Sequence, residues 1–303
     1  MGYLMANTQR FGYLMILASA GGFAFLPTLT RSIYAVSDFQ PYDIALWRFL
    51  LATPIVWILL QFWPPARQAN RTNVERMKLL LSGTLYALAA LAAFVGLERT
   101  PASTFVVLFF TYPAMVAVMT VFLGRRLTTT AWVSLVLTLI GVALTVPDFS
   151  FSGSDGVGVL FAFINAFFVA LYFIVAEGLL KGQAISGSTY IITGTLLVLL
   201  LFLPFQGLRM PTNLTTFAYL LAMATISTVL PIFTMNLGIK MVGPTPASIV
   251  SSVEPLLAMV VALVVLGEAI LPVQWLGAAA IVSGVLLLQI APARRKRTPQ
   301  PLA

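Results

Sequence analysis

The sequence contains no cysteine and no histidine. Without cysteine, a disulfide framework, a thiolate nucleophile and a thiolate-bound metal are excluded. Without histidine, the chain lacks the commonest metal ligand and the usual general base. The few carboxylates are scattered, and neither a catalytic pair nor a glycine-rich phosphate loop is present. We therefore expect no metal, no cofactor and no enzymatic activity.

Charged residues are also scarce. They make up 9% of the 303 residues, against 60% hydrophobic residues, whereas a soluble domain carries roughly 25% charged residues. The polar surface is too small to cover a globule in water, so the sequence predicts an all-α polytopic membrane protein with lipid as its solvent. The net charge of +8 does not indicate nucleic acid as a partner, because the charges flank hydrophobic runs instead of lining one face.

Ten hydrophobic runs have lengths close to the roughly 20 residues that a membrane-spanning helix needs. Short, turn-rich joints separate them, so residues 1–303 are predicted to form a single membrane domain in which consecutive helices are antiparallel. An alternative for the first run, which follows Arg10, is a cleaved signal peptide. The predicted spans are 11–31, 41–63, 77–97, 101–123, 128–146, 156–180, 186–206, 214–239, 245–266 and 271–291.

Lysine and arginine are concentrated at one end of these spans. With a cytoplasmic N-terminus, the inner segments hold Arg125-Arg126 and the cluster at 294–297, whereas the outer joints hold only Arg31, Arg99 and Arg209. Positive residues favour the cytoplasmic side. We therefore predict that both termini are cytoplasmic, and that the basic tail at 292–303 binds the headgroups of membrane lipid.

The two halves of the chain share an ordered series of motifs. The fourth and ninth predicted spans both open on Thr-Pro-Ala-Ser, contain a proline and end on Leu-Gly. Such a series indicates a duplication. The matches lie at 100–103 and 245–248, at Pro113 and Pro255, and at 123–124 and 266–267.

The duplication gives repeat one at about 11–146 and repeat two at about 156–291. Because each repeat has an odd number of spans, the sequence predicts ten transmembrane helices arranged as two inverted five-helix repeats. Many secondary transporters have this architecture and bind substrate between the repeats near the midplane. A duplicated scaffold without a transport role, a channel and a receptor remain as alternatives.

The five-plus-five arrangement, Leu-Gly-Glu at 266–268 and the pattern Trp275…Gly284 resemble the drug/metabolite transporter superfamily of the EamA type. Within it, the chain is most similar to bacterial aromatic amino-acid exporters of the YddG type. The resemblance implies a multi-pass protein of the bacterial inner membrane that exports a small-molecule substrate, an aromatic or neutral amino acid, by alternating access. An importer, or a carrier of another small metabolite or drug, stays open, and no oligomeric state is predicted.

Polar and aromatic residues within the spans are the candidate substrate-binding residues, because a polar group in hydrocarbon is costly. Rings stack on a flat ligand and amides orient it; the alternative is that these groups only pack helices. The candidates are Tyr86, Phe110, Tyr112, Asn165, Tyr172, Asn236, Ser251 and Glu254.

Glu254 is the deepest carboxyl group, about 12 Å into the ninth span. Pro255 cannot donate to the Ser251 carbonyl, so an acceptor lies beside it. Two interpretations stay open: Glu254 binds a substrate amine or couples protons, or it is a neutral group that packs helices.

Arg48 lies about 10 Å inside the second span. It could bind a substrate carboxylate. The favoured interpretation is that it pairs with an outer acid, Asp43 or Glu98, or extends to the interface.

Prolines inside four spans are predicted to supply kinks or gates that let half-helices rock. They are Pro27, Pro113, Pro231 and Pro255, with Gly21-Gly22 near the first.

Overall fold

The computed structural model describes residues 2–62, 72–99, 102–145, 156–180, 184–266 and 271–290. Within these ranges every regular element is helical, which confirms the predicted all-α class. The α-helices are α1 Gly2–Ala24, α2 Leu26–Val36, α3 Pro41–Phe62, α4 Asn73–Arg99, α5 Ala102–Phe109, α6 Tyr112–Phe122, α7 Thr129–Thr145, α8 Gly156–Leu179, α9 Ala184–Leu201, α10 Leu203–Gln206, α11 Leu214–Ala224, α12 Leu230–Val242, α13 Pro244–Ser251, α14 Glu254–Leu266 and α15 Pro272–Ile290.

Seven helical stretches of the described chain are long and apolar enough to cross a membrane. They support a multi-pass membrane protein, and large apolar side chains such as Phe62, Phe122 and Val264 point outward, as expected when lipid is the solvent. The seven stretches are Thr8–Val36, Pro41–Phe62, Asn73–Ala93, Gly156–Leu179, Ala184–Leu201, Leu214–Val242 and Pro244–Val265.

The predicted count of ten spans is not confirmed by helix length. The spans expected at 101–123, 128–146 and 271–291 contain shorter apolar helices. In the first of them the helix is interrupted before Pro113. Residues 101, 146 and 291, where the three predictions begin or end, lie outside the described ranges. The shorter helices are Tyr112–Phe122, Thr129–Leu144 and Pro272–Leu288.

Four of the predicted spans are interrupted next to a proline. A proline has no N–H for the carbonyl four residues earlier, so the α-helical pattern breaks there. α1 gives way to α2, α5 to α6 and α13 to α14, and between α11 and α12 the chain forms a π-helical turn, Thr225–Val229. Pro27, Pro113, Pro231 and Pro255 each lie at the first or second position of the helix that follows.

Helices that are distant in sequence pack in pairs. α1 contacts α12 and α14, α8 contacts α4 and α6, and α7 contacts α15. Glycines permit the closest approaches: a Cβ at Gly141 would lie 2.7 Å from the carbonyl oxygen of Gly277, and one at Gly194 would overlap the backbone of Leu80. Close packing of small residues is how helices associate in lipid, where the hydrophobic effect does not hold them together.

Candidate functional site

Two of the interrupted helices meet through hydroxyl groups. Tyr112 begins α6 and Ser251 ends α13, and their hydroxyl oxygens are 2.5 Å apart. The Ser251 hydroxyl also donates to the Ser248 carbonyl at 2.9 Å. One side chain from each half of the chain is thus joined at a helix break.

A second polar contact is a relay across three helices. The Tyr172 hydroxyl in α8 donates to the Asn236 side-chain carbonyl in α12. The Asn236 amide donates to the Ser188 hydroxyl in α9 at 2.9 Å, and Ser188 donates to the Ala184 carbonyl at 2.8 Å. Tyr172, Asn236 and Ser188 are all buried. Every polar side-chain atom named in this relay therefore has a partner.

Tyr86 in α4 lies against this relay. Its ring packs edge-on against Tyr172, with 4.4 Å between centroids. Its hydroxyl donates to the Met235 sulfur at 3.7 Å. Aromatic pairs in this arrangement are favourable beyond their buried area, so Tyr86 and Tyr172 form a shared aromatic wall.

Tyr112 is surrounded by phenylalanines. The centroids of Phe109, Phe110 and Phe173 lie 5.2, 5.8 and 5.5 Å from that of Tyr112. Phe110 and Phe173 are buried. The helix break before Pro113 therefore carries an aromatic lining as well as a polar hydroxyl.

Arg48 does not pair with Asp43, and that expectation was wrong. The Asp43 carboxylate, 2% exposed, accepts a hydrogen bond from Arg209 Nη1 at 2.8 Å and others from the backbone N–H groups of Arg209 and Gln40. Asp43 lies in the first turn of α3, and its acceptors are occupied. It is therefore unavailable to Arg48, which is more than one helical turn further on. The side chain of Glu98 lies outside the described residues.

Arg48 is instead anchored on the π-helical turn. Its Nε donates to Thr228 Oγ1 at 2.6 Å and its Nη2 to the Ser227 carbonyl at 2.8 Å. Ser227 lies four residues before Pro231, so its carbonyl is the acceptor that the proline leaves without an α-helical partner. The guanidinium also lies 5.4 Å from the centroid of the Phe49 ring, within reach of a cation–π contact.

Glu254 is the first residue of α14, directly after the break at Ser252-Val253. It is partly accessible and forms no ion pair with Arg48 within 4.0 Å, although the two charges are close enough to interact. The Tyr86 hydroxyl is close enough to interact electrostatically with Arg48 and with Glu254. We call Arg48, Tyr86, Tyr112, Tyr172, Asn236, Ser251 and Glu254 the central cluster.

The structure thus gathers most of the predicted site residues into two sets of contacts, one around Tyr112 and Ser251 and the other around Tyr86, Tyr172 and Asn236. Phe110 lines the cluster beside Tyr112. Asn165 is buried in α8 but lies about 10 Å along the helix from Tyr172, and the cluster contacts described above do not include it. Whether any of these residues binds substrate stays a prediction.

Sequence reasoning missed Ser188, Met235 and Thr228. Nothing in the sequence distinguishes Ser188 or Met235 from other small or apolar residues of their helices. Thr228 could have been found, because Pro231 predicts a free carbonyl at Ser227, and a free acceptor next to a hydroxyl attracts a buried arginine.

Ion pairs join the two halves of the chain at two further places. Asp43, which is buried, and Arg209, which is exposed, form the pair already described. Arg125, just after α6, and Glu177, near the end of α8, lie 2.6 Å apart with side chains 51% and 27% exposed. By the predicted topology, the first pair is at the outer end and the second at the cytoplasmic end.

Comparison with known proteins gives a family match over both halves of the chain. The profile of the EamA-like transporter family matches residues 10–146 and again residues 156–290. A solved crystal structure superposes with a TM-score of 0.77 over 91% of this chain and 95% of that one, at 14% identity, which is a likeness of fold alone.

Several curated relatives are transporters. YyaM of Bacillus subtilis, an uncharacterized transporter, is 28% identical over 90% of this chain and 92% of its own length. YwfM of the same organism is 30% identical, but over 57% of this chain and 59% of its own length. RhtA of Escherichia coli, a threonine/homoserine exporter, is 27% identical over 75% of each chain.

Proposed function

The chain belongs to the EamA-like transporter family, and we propose that it is a secondary transporter that exports aromatic or neutral amino acids by alternating access. The observation that carries this proposal is the central cluster. Tyr112, Ser251 and Glu254 lie at helix breaks inside the membrane domain, and Tyr86, Tyr172 and Asn236 contact one another across α4, α8 and α12. Polar groups are retained in lipid mainly where they line a substrate path.

The similarity to RhtA supports amino acids as the substrate class, since that relative exports threonine and homoserine. The central cluster supports the aromatic members of the class. Tyr86, Tyr112 and Tyr172 offer ring faces and edges on which a flat side chain could stack, and Asn236 supplies an orienting amide. An amino acid with a neutral side chain suits the central cluster, because the cluster contains no further charged side chain among the described residues.

The proposed architecture is two inverted five-helix repeats. The family profile matches each half separately. The same contacts also recur when each helix is replaced by its counterpart in the other half. The contact of α1 with α12 corresponds to that of α8 with α4, and the contact of α1 with α14 corresponds to that of α8 with α6. The pair α7 with α15 corresponds to itself. Such a pattern is expected of a two-fold relation between repeats.

Alternating access would use the interrupted helices. The breaks before Pro113 and Pro255 face each other through Tyr112 and Ser251, so half-helices can rock about the cluster. The Asp43 carboxylate is buried and also accepts two backbone hydrogen bonds, whereas both side chains of the Arg125–Glu177 pair are accessible. We therefore infer that the Arg125–Glu177 pair opens during the cycle while the Asp43–Arg209 pair belongs to the static scaffold.

Counterflow in proteoliposomes tests the proposed function. Purified protein should exchange labelled phenylalanine for internal phenylalanine, tyrosine or threonine, and the flux should saturate. Tyr172→Ala should weaken the apparent affinity for phenylalanine several-fold, because stacking of this kind is worth about 0.5–1.5 kcal/mol. Phe167→Ala, on the exposed side of the same helix, is the matched control. A panel in which no amino acid but another metabolite exchanges would refute the substrate class, and non-saturating flux would indicate a channel.

Labelling of introduced cysteines tests the architecture. The chain has no cysteine of its own, so single cysteines near 126 and near 268 can be labelled in cells with an impermeant thiol reagent. Inverted repeats predict that the two positions lie on opposite sides of the membrane. Labelling of both from the same side would contradict the proposed topology.

A further inference from the structure

We propose that Arg48 and Glu254 bind the two charged ends of an α-amino acid, Arg48 the carboxylate and Glu254 the ammonium group. The proposal rests on the transport function proposed above and names how the central cluster would select its substrate. It assigns to the site a ligand with both charges on one carbon atom.

Arg48 has donors to spare, and no acid among the described side chains lies within ion-pair distance of it. A guanidinium has five N–H groups, and two of them are used on Thr228 and Ser227. Of the acids in the described chain, Asp43 is bound to Arg209 and Glu177 to Arg125. A charge inside a membrane domain needs a counter-charge. The planar fork of the remaining donors suits a carboxylate.

The two anchors of Arg48 hold the guanidinium in place. Thr228 donates in turn to the Met223 carbonyl at 2.9 Å, and the Ser227 carbonyl is fixed in the π-helical turn. The Phe23 and Phe49 rings lie 6.0 and 5.4 Å from the guanidinium. A side chain held in this way can receive a ligand without first losing its own conformational freedom.

Glu254 is surrounded by groups that favour a cation. α13 ends at Ser251, so the negative end of its helix dipole lies beside the break. Pro255 cannot donate to the Ser251 carbonyl, and no hydrogen bond of the described residues uses the Glu254 carboxylate. A discontinuous helix that presents a C-terminal end and free carbonyls at the midplane is a known arrangement for binding cations in transporters. An ammonium group has three donors for these acceptors.

Arg48 and Glu254 lie further apart than an ion pair, as a ligand that bridges them requires. Arg48 and Glu254 interact electrostatically without forming an ion pair. Two hydrogen bonds of about 3 Å each, plus about 3 Å from the ammonium nitrogen to a carboxylate oxygen, require a gap of roughly 9 Å.

The side chain of the bound amino acid would then meet aromatic residues. Tyr86 lies within the electrostatic range of both charges, and its ring contacts Tyr172. Tyr112, bonded to Ser251, adds a second ring near Glu254. A ligand held at both ends of its backbone therefore has its variable group directed by the tyrosines.

Substrate analogues on the wild-type protein test the proposal without any risk of misfolding. Competition against phenylalanine counterflow should be at least about tenfold weaker for phenylalanine amide, which lacks the carboxylate, and for phenylpropionate, which lacks the ammonium group. If both analogues compete as well as phenylalanine, the two-ended site is wrong although amino-acid transport stands. If phenylalanine and threonine are not transported and another metabolite is, the proposed function fails first.

Two variants then separate the ends. Arg48→Gln should remove the preference for phenylalanine over its amide and keep the preference over phenylpropionate, and Glu254→Gln should do the opposite. Arg76→Gln and Glu75→Gln, on the exposed start of α4, are the matched controls and should keep both preferences. If either central variant weakens all ligands equally, that residue holds helices together and does not bind substrate.

Discussion

The Tyr172–Asn236–Ser188 relay makes a prediction about stability that distinguishes two tyrosines of the same cluster. Tyr172→Phe removes the only donor that the described residues provide to the buried Asn236 side-chain carbonyl. The cost is the hydrogen bond plus the penalty of an unpaired buried acceptor, about 1–3 kcal/mol in proteins generally. Hydrogen bonds between helices in lipid average about 0.6 kcal/mol and reach about 1.7. We therefore expect a loss of about 1–2 kcal/mol.

Tyr112→Phe is the matched comparison. It also removes one hydroxyl, but Ser251 keeps its hydrogen bond to the Ser248 carbonyl at 2.9 Å. No buried group is left without a partner, so the expected loss is about 0.5 kcal/mol. Both substitutions remove one oxygen atom from a buried ring, and the difference of about 1 kcal/mol isolates the orphaned acceptor.

Reversible unfolding in mixed detergent micelles, followed by circular dichroism, measures both losses. Adding Asn236→Leu to Tyr172→Phe removes the orphaned carbonyl and should restore part of the lost free energy, because Ser188 still donates to Ala184. Equal losses for the two tyrosine variants, or a double variant no more stable than Tyr172→Phe alone, would show that the relay does not carry the stability assigned to it.

Two further predictions concern packing and the proposed cytoplasmic end. Gly194→Ala should destabilise the fold by about 1–3 kcal/mol, because the added Cβ would overlap the Leu80 backbone. Gly21→Ala is the control and should be neutral in the same unfolding assay, because no atom lies within 4 Å of its added Cβ. Equal effects of the two substitutions would contradict the packing of α4 against α9. Glu177→Gln removes the ion pair with Arg125 and should change stability by less than about 1 kcal/mol, yet it should raise the counterflow rate if that pair must open in each cycle; an unchanged rate with an intact fold would remove the pair from the mechanism.

The amount of the fold that could be predicted follows from the physics of lipid. Composition alone requires helices, because an unpaired backbone group in hydrocarbon is too costly for other open structures. The ends of the helices were less predictable. Thr-Pro-Ala-Ser at 100–103 and at 245–248 suggested matching spans, and the structure divides each of these spans into two helices, before Pro113 and before Pro255. Hydropathy does not register where a proline divides a span.

The sequence could single out individual polar residues of the site, but it could not predict which residues they contact. Tyr172 and Asn236 are polar groups in lipid, so each could be singled out, but their contact depends on the packing of α8 against α12. For Arg48, nearness in sequence suggested Asp43, and the structure gives each a partner from repeat two, Ser227 and Arg209. Partners more than 150 residues away cannot be read from local spacing.

Pro231 and Pro255, both in the second repeat, show how one backbone rule produces two different sites. Pro231 frees the Ser227 carbonyl, and Arg48 occupies it, so this break is filled by the protein's own cation. Pro255 frees the Ser251 carbonyl in the same way, but the residue beside it is Glu254, a second acceptor in place of a donor. Two acceptors side by side in lipid require a cation from elsewhere. Because Arg48 is already fixed on the π-helical turn, we expect the cation at the break before Pro255 to be a proton or the amine of a ligand. We therefore expect transport to be coupled to binding at this break and not at the one before Pro231.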